Sequence, residues 1–577
     1  MFRTPALIAA LLAALLGFLV ASGREAQRER TTGRSPARAG GRTERCVTCH
    51  AKPEEDPGGV HSRIALGCAS CHLGNPLAFG KERAHEGLER EPGALSTVAA
   101  TCGRDGCHER ESARVATSPM TRASGIVSVD RFAFGEIALP DATETVADVL
   151  GAAHPTPAEV HLRKLCAGCH LGTRRWNRDD AIQGNGSGCA ACHAPLRRAG
   201  DSLRAHPPVD ARVPNDRCFG CHSKSGRISL TYEGLAEIEP HQAAGGPLPC
   251  PAPVKLADGR PACRVAPDVH QAAGMSCIDC HVHTELMGDG TARTHQEEQV
   301  EITCEACHGP VRAGGEIPWQ MVKDEVSKEI RKREIEKEGI RNEDFLRRGG
   351  EGSPPDGPAR LERTEASDHA LSKKSLFATS SEAPTRLGRR GTPILNLLSK
   401  SFSSSWVLIR KLDGVVLPVK QTPRDANHAR KGHERLSCSS CHAAWAPRCD
   451  TCHTSFDAAR TQWDFAAGKA TAGAWTERSE GFSWGPPLLG VRSDGKIVPA
   501  APGMILDIDA TVAGGGKTSR RLLAPMEPHA TGKKARTCES CHRAPAAPDF
   551  EAGTRTGFRG LDAAERKRVA AARLGPR

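Results

Sequence analysis

The sequence predicts a mostly irregular chain of short α-helices wrapped around a packed array of bound groups, with little β structure beyond one or two hairpins. Three observations predict it. Aromatic residues are only 4% of the 577 residues, with a single tyrosine. Glycine (59) and proline (40) are abundant, and such a composition is too poor in core formers to fold around side chains alone. Finally, 24 cysteines stand beside 24 histidines in a repeating pattern.

The pattern is Cys-x-x-Cys-His. It occurs at Cys46/Cys49/His50, Cys68/Cys71/His72, Cys166/Cys169/His170, Cys189/Cys192/His193, Cys218/Cys221/His222, Cys277/Cys280/His281, Cys304/Cys307/His308, Cys438/Cys441/His442, Cys449/Cys452/His453 and Cys538/Cys541/His542. A stretched eleventh copy, CGRDGCH, carries Cys102, Cys107 and His108. Zinc sites also use Cys-x-x-Cys pairs, but they need two half-sites each and are indifferent to the next residue. A thioredoxin-like motif does not repeat eleven times. The remaining reading is covalent haem c attachment. Each cysteine adds its sulfur to a haem vinyl group, and the adjacent histidine is the proximal iron ligand. About eleven haems, each tied at three points and served by roughly fifty residues, then form the core, much as a structural metal does in a small domain. The apoprotein is expected to be largely unfolded.

Residues 1–23, MFRTPALIAALLAALLGFLVASG, join Arg3 to an apolar run and a small-residue exit. That is the form of a signal peptide; an uncleaved N-terminal anchor is the other reading. The run is shorter than the ~20 residues a spanning helix prefers. Either reading exports the body to the periplasm, with membrane anchoring or association with the outer surface as further alternatives. In an oxidising compartment Cys250 and Cys263, which bracket PAPVKLADGRPA without a following histidine, are expected to form a disulfide. It would add about 3 kcal/mol; two free thiols are the alternative. The net charge of +11 is spread between the motifs, not gathered into a stripe with interleaved aromatics. It offsets haem propionates, and no nucleic-acid partner is expected.

Residues 24–45 read as a disordered basic segment. Residues 46–165 form an N-terminal module of three motifs, and 166–315 a central module of five. Residues 316–390 hold a charged helix, with Trp319, Val322, Val326 and Ile330 at helical spacing, and then a flexible linker. Residues 391–577 hold a hairpin around Asp413-Gly414 and three more motifs. SPMTRASGIVSVDRFAFGE (118–136) looks partly strand-like, ISLTYEG (228–234) looks like a strand, and Ala446-Pro447 looks like a turn. Trp445 is expected either against a haem or in simple burial.

Thirteen histidines lie outside the motifs. His61, His161, His206, His270, His295, His428, His433 and His529 sit shortly before a motif, where a distal ligand knits neighbouring haems together. His85, His241, His154 and His283 complete the candidates, and His369 falls in the linker. Thirteen for eleven irons allows every haem to be bis-histidine, low-spin and of low potential, with no open position. Met120, Met275 and Met287 are assigned to packing.

These motifs, with the stretches SPMTRASGIVSVDRFAFGE, CFGCHSKSGRISLTYEG, PDVHQAAGMSCIDCHVHTELMGDG, RLSCSSCHAAWAPRCDTCHTSFD and RLLAPMEPHATGKKARTCESCH, make the chain resemble the multihaem c-type cytochromes of anaerobically respiring and metal-reducing bacteria. The resemblance covers most of residues 46–542. It implies periplasmic or surface electron transfer, with His270 and His529 as distal ligands. The expected partners are a quinol-linked or soluble donor and an acceptor cytochrome or terminal reductase, with membrane association through the N-terminus or an outer-membrane complex. The first functional expectation is an electron carrier with no catalytic residue. The second is a reductase or oxidase of nitrite, hydroxylamine or tetrathionate type with one open haem, the Cys102/Cys107 site being the one to suspect. The Cys-x-x-Cys-Lys variant is absent, and Tyr232 is the only tyrosine a cross-linked haem could use.

Overall fold

The computed structural model describes residues 37–39, 42–50, 61, 66–174, 187–194, 209, 211–224, 227–243, 250–310, 319–323, 382–399, 405–449, 451–500, 505–542 and 558–571. The expected signal peptide or anchor, His206 and His369 lie outside these residues. Among the described residues no helix is long and apolar enough to cross a membrane.

The expectation of short helices with little β structure is overturned. The helices are short, but among the described residues eighteen strands accompany them. Five form an antiparallel sheet in the order Val416–Val419, Trp406–Ile409, Pro393–Ser399, Glu382–Leu387, Trp319–Lys323. Four form a second sheet, in which Lys469–Glu480 and Ile505–Asp509 flank Thr451–Asp464, and Lys517–Arg521 closes one edge. Leu235–Glu237, Pro261–Arg264 and Val254–Lys255 make a third.

The reason lies in the C-terminal half, where the apolar residues pair at long range. PILNLLS and WVLI bury Ile394, Leu397 and Leu408 against Met275, Val282 and Ala306, a side-chain core of the kind the composition seemed to deny. The strand Thr451–Asp464 alternates, burying Cys452 and Thr454. Its inner face joins Trp475, Leu506 and Ile508 on neighbouring strands and Phe134 from the N-terminal half.

Several local expectations change with it. Trp319–Lys323 is a strand paired with Glu382–Leu387, not the start of a helix, and the second of these strands occupies part of the expected linker. The segment 24–45 includes an antiparallel pair, Ala37–Ala39 with Arg42–Glu44. SPMTRASGIVSVDRFAFGE is helical over Pro119–Arg122 and Ser124–Ala133. Ser118 accepts a hydrogen bond from Thr121 N (3.3 Å) and proline takes the first turn, a standard start signal. Ser124, Val127 and Ser128 are buried at helical spacing, which outweighs the β-branched residues between them. ISLTYEG is helical over Ile228–Glu233, and Ala446–Arg448 is a strand instead of a turn. Trp445 is buried with Ala236 and Ala530 and donates Nε1 to Ala266 O at 2.8 Å. The strands on either side of Asp413-Gly414 pair antiparallel.

Candidate metal centres

Most motifs sit on one short helical turn, among them Cys46–Cys49, Ala69–His72, Cys189–His193, Cys277–Cys280, Cys304–His308, Cys438–His442 and Cys538–His542. Three-residue spacing on a helix puts both sulfurs on one side. In these turns the histidine N–H bonds the carbonyl of the first cysteine, as in His50 to Cys46 (3.0 Å), His72 to Cys68 (2.9 Å) and His281 to Cys277 (3.0 Å). The stretched copy reproduces that closure: His108 N donates to Cys102 O at 3.0 Å, so the two extra residues are looped out. All 22 motif cysteines are free thiols, whereas Cys250 and Cys263 are joined in a disulfide.

Cysteines and histidines of seven motifs line one cavity of about 2760 Å³, several times the ~300–1,000 Å³ of an ordinary small-molecule site. Among the described residues, six motif histidines each face a non-motif histidine. The ring centroids are 6.0 Å apart for His50 and His85, 6.0 Å for His108 and His61, and 6.2 Å for His281 and His529. They are 5.9 Å apart for His308 and His270, 6.2 Å for His442 and His428, and 6.0 Å for His542 and His433. A metal held about 2.0–2.1 Å from a nitrogen of each ring would set the centroids about 6 Å apart. Random aromatic contacts spread over roughly 4.5–7 Å, and they would not always pair one motif histidine with one other.

The outer ring nitrogens are tethered as metal-bound imidazoles require. Nδ1 of His270 lies 2.8 Å from Asp268 Oδ1, that of His281 2.8 Å from Glu285 Oε2, and that of His428 2.9 Å from Asp425 Oδ1. Backbone carbonyls serve His72 (Glu89 O, 2.8 Å), His308 (Lys420 O, 2.7 Å) and His529 (Glu527 O, 2.8 Å). Each tether leaves Nε2 for the gap. Burial holds His529 down to about 4 and His170 to about 4, favouring the neutral, ligating form. The residues fit bis-histidine haem at these six centres.

The distal candidates cross over. His270 precedes the Cys277 motif but faces His308, and His529 precedes the Cys538 motif but faces His281. His433 faces His542, while His428 faces the motif it precedes. His295 is buried, and His283 lines the cavity. His154 is exposed, and His241 lies on Pro240–Ala243 with its side chain outside the described residues. His161 is engaged elsewhere. Its Nδ1 is 3.0 Å from Asp130 Oδ2 and its Nε2 3.3 Å from Glu477 Oε1, with the Trp475 ring at 5.5 Å. Burial opposes its charge, but the two carboxylates win and raise it to about 10. Tyr232 donates its hydroxyl to Met275 O at 2.8 Å, and burial pushes its ionisation upward.

The Cys449 motif does not fit a haem. Cys452 and His453 are consecutive on a strand, and so point to opposite faces. Cys452 is buried beside Trp475, while His453 is half-exposed, 3.7 Å from Asp507 and 4.0 Å from Glu480. The sulfurs and the imidazole do not converge on one porphyrin.

The remaining cysteines map which centres are neighbours. Sulfurs of Cys46 and Cys68 lie within 4.8 Å, and Cys102 adjoins Cys189, Cys218 adjoins Cys277, and Cys304 adjoins Cys438. Cys71 lies near Cys102, Cys192 near Cys218, Cys280 near Cys307, and Cys441 near Cys541. The motifs beginning at Cys46, Cys68, Cys102, Cys189, Cys218, Cys277, Cys304, Cys438 and Cys538 therefore lie in a line. The Cys166 motif branches from it where Cys169 meets Cys221.

Sequence reasoning missed Asp268 and Glu285, the buried carboxylates that aim His270 and His281. The spacings Asp-x-His and His-x-x-x-Glu were the signal. No family model, curated protein or solved structure matches the chain.

Proposed function

We propose that the chain is an exported electron-transfer protein carrying haem c at its motifs, the six with facing imidazoles fitting the group and the Cys449 copy not fitting it. It passes electrons between a quinol-linked or soluble donor and an acceptor cytochrome or terminal reductase. The observation that carries this reading is the six imidazole pairs held 5.9–6.2 Å apart. When bound, haem supplies a one-electron Fe(III)/Fe(II) couple. The chain's residues do the rest. The motif cysteines would hold each group covalently, and at the six paired centres the facing imidazoles would ligate its iron. Contact between successive motifs keeps the centres close enough for exchange. Pyridine haemochrome quantitation and EPR of the ferric protein test this. About ten haems c with mainly low-spin signals are expected, and a protein exported without haem c would sink it.

A second reading, reduction or oxidation of a small nitrogen or sulfur oxyanion, is favoured by one place. The Cys166 thiol lies within electrostatic reach of Asp130 and Glu477, the two carboxylates that hold His161. A high-spin EPR fraction near one haem in ten would favour it.

A further inference from the structure

The line of motifs has two ends, and they differ in charge. At the Cys46 end, exposed Lys81, Arg83 and Arg90 are largely offset by exposed Glu82 and Glu86. At the Cys538 end, two segments pack on the Cys438–His442 turn. Gly532 N donates to His442 O (2.8 Å) and Arg536 N to Cys441 O (2.8 Å), while His433 faces His542. These segments expose Arg424, Arg430, Lys431, Lys533 and Lys534 around the exposed Cys538. None of the five makes an ion pair among the described residues, and of the nearby exposed acids Asp425 holds His428 while Glu434 accepts from Gly432 N.

We propose that this end is the docking surface for an acidic redox protein. The inference rests on the electron-transfer reading. A cationic rim around the last centre of a line is what steers an anionic partner, raising association rates by about 10–10³ at low salt. In the transfer, one electron leaves the partner's reduced flavin or haem, and one ferric haem of this chain becomes ferrous. A flavin hydroquinone donor becomes its semiquinone and releases one proton to solvent.

The test uses the full haem-loaded protein and stopped-flow reduction by two probes: an acidic flavodoxin hydroquinone, and photoreduced lumiflavin, which is small and uncharged. The rate with flavodoxin is expected to fall at least tenfold between about 20 mM and about 500 mM salt, as screening shortens the reach of the patch. The triple variant Lys431→Glu/Lys533→Glu/Lys534→Glu is expected to show a similar loss at low salt, with haem content and lumiflavin rate unchanged. A flavodoxin rate indifferent to salt in the wild-type protein overturns the proposal, whether or not the variant folds. Vesicles containing phosphatidylglycerol that bind the wild type but not the variant, with flavodoxin rates equal in both, would assign the patch to a membrane and overturn it too. A preparation without haem c overturns the underlying reading instead, so the two failures are distinct.

Discussion

His161→Gln separates two roles a buried histidine can have. The wild-type imidazole sits between Asp130 (3.0 Å) and Glu477 (3.3 Å), and its proton is held up to about 10. Against an ordinary value of 6.5, at about 1.36 kcal/mol per unit, this sets a ceiling of roughly 5 kcal/mol. Glu477 is 45% exposed, so solvent weakens that limb. Removing one partner of a buried pair costs about 3–5 kcal/mol, and we take the lower figure, about 3. The folded-state value is raised, so this stability is fully present below pH 6.5 and is lost as pH rises through about 10. Denaturant unfolding of the haem-loaded protein should show a gap of about 3 kcal/mol at pH 6, shrinking between pH 7 and pH 10. The low-spin haem signals should not change, because His161 faces carboxylates and not a motif histidine. A gap under about 1 kcal/mol, or one constant with pH, would refute the ion-pair argument. A new high-spin signal would instead make His161 an iron ligand.

Two further outcomes follow from the same geometry. Glu285 accepts from His281 Nδ1 (2.8 Å), Val282 N (3.2 Å) and Ile302 N (2.6 Å). Glu285→Ala should cost about 2–4 kcal/mol, since each buried donor left alone costs about 1–3, and should alter the EPR g-values of the His281 centre; unchanged spectra would exclude a tethering role. Cys449→Ala/Cys452→Ala should leave haem stoichiometry by pyridine haemochrome unchanged, and loss of one haem would show that this strand rearranges on loading.

The motifs were legible because the pattern is local: two sulfurs and an imidazole within one helical turn. The partners were less so. Position before a motif marked His270 and His529 as candidate ligands, but the chain folds back and sets each opposite the histidine of a different motif, which only tertiary structure can show. The strands were misjudged for the same reason. Trp319, Val322, Val326 and Ile330 have helical spacing, yet residues 319–323 pair with Glu382–Leu387, some sixty positions later. Local periodicity carries no information about a strand so distant. The sparse composition also misled, because the apolar residues are concentrated in PILNLLS, WVLI and the Thr451–Asp464 hairpin instead of being thinned evenly along the chain.

Nearness in sequence and nearness in space part company most clearly between Cys438 and Cys538. The motifs at Cys438 and Cys449 are separated by only seven residue steps from His442, and they look like the tightest link in the chain. The strand Ala446–Arg448 pairs with Ser483–Gly485 and carries Cys449 into the second sheet, where Cys452 packs with Trp475. The motif that actually meets Cys441 is the one at Cys538, with Cys541 beside it and His433 reaching across to His542. A sheet edge has thus redirected the path. The strand holds one copy of the motif in a side-chain core, and the turn after it returns the chain to close the line a hundred residues later. The β structure is therefore part of how the centres are ordered, since the sheets decide which motif becomes the neighbour of which.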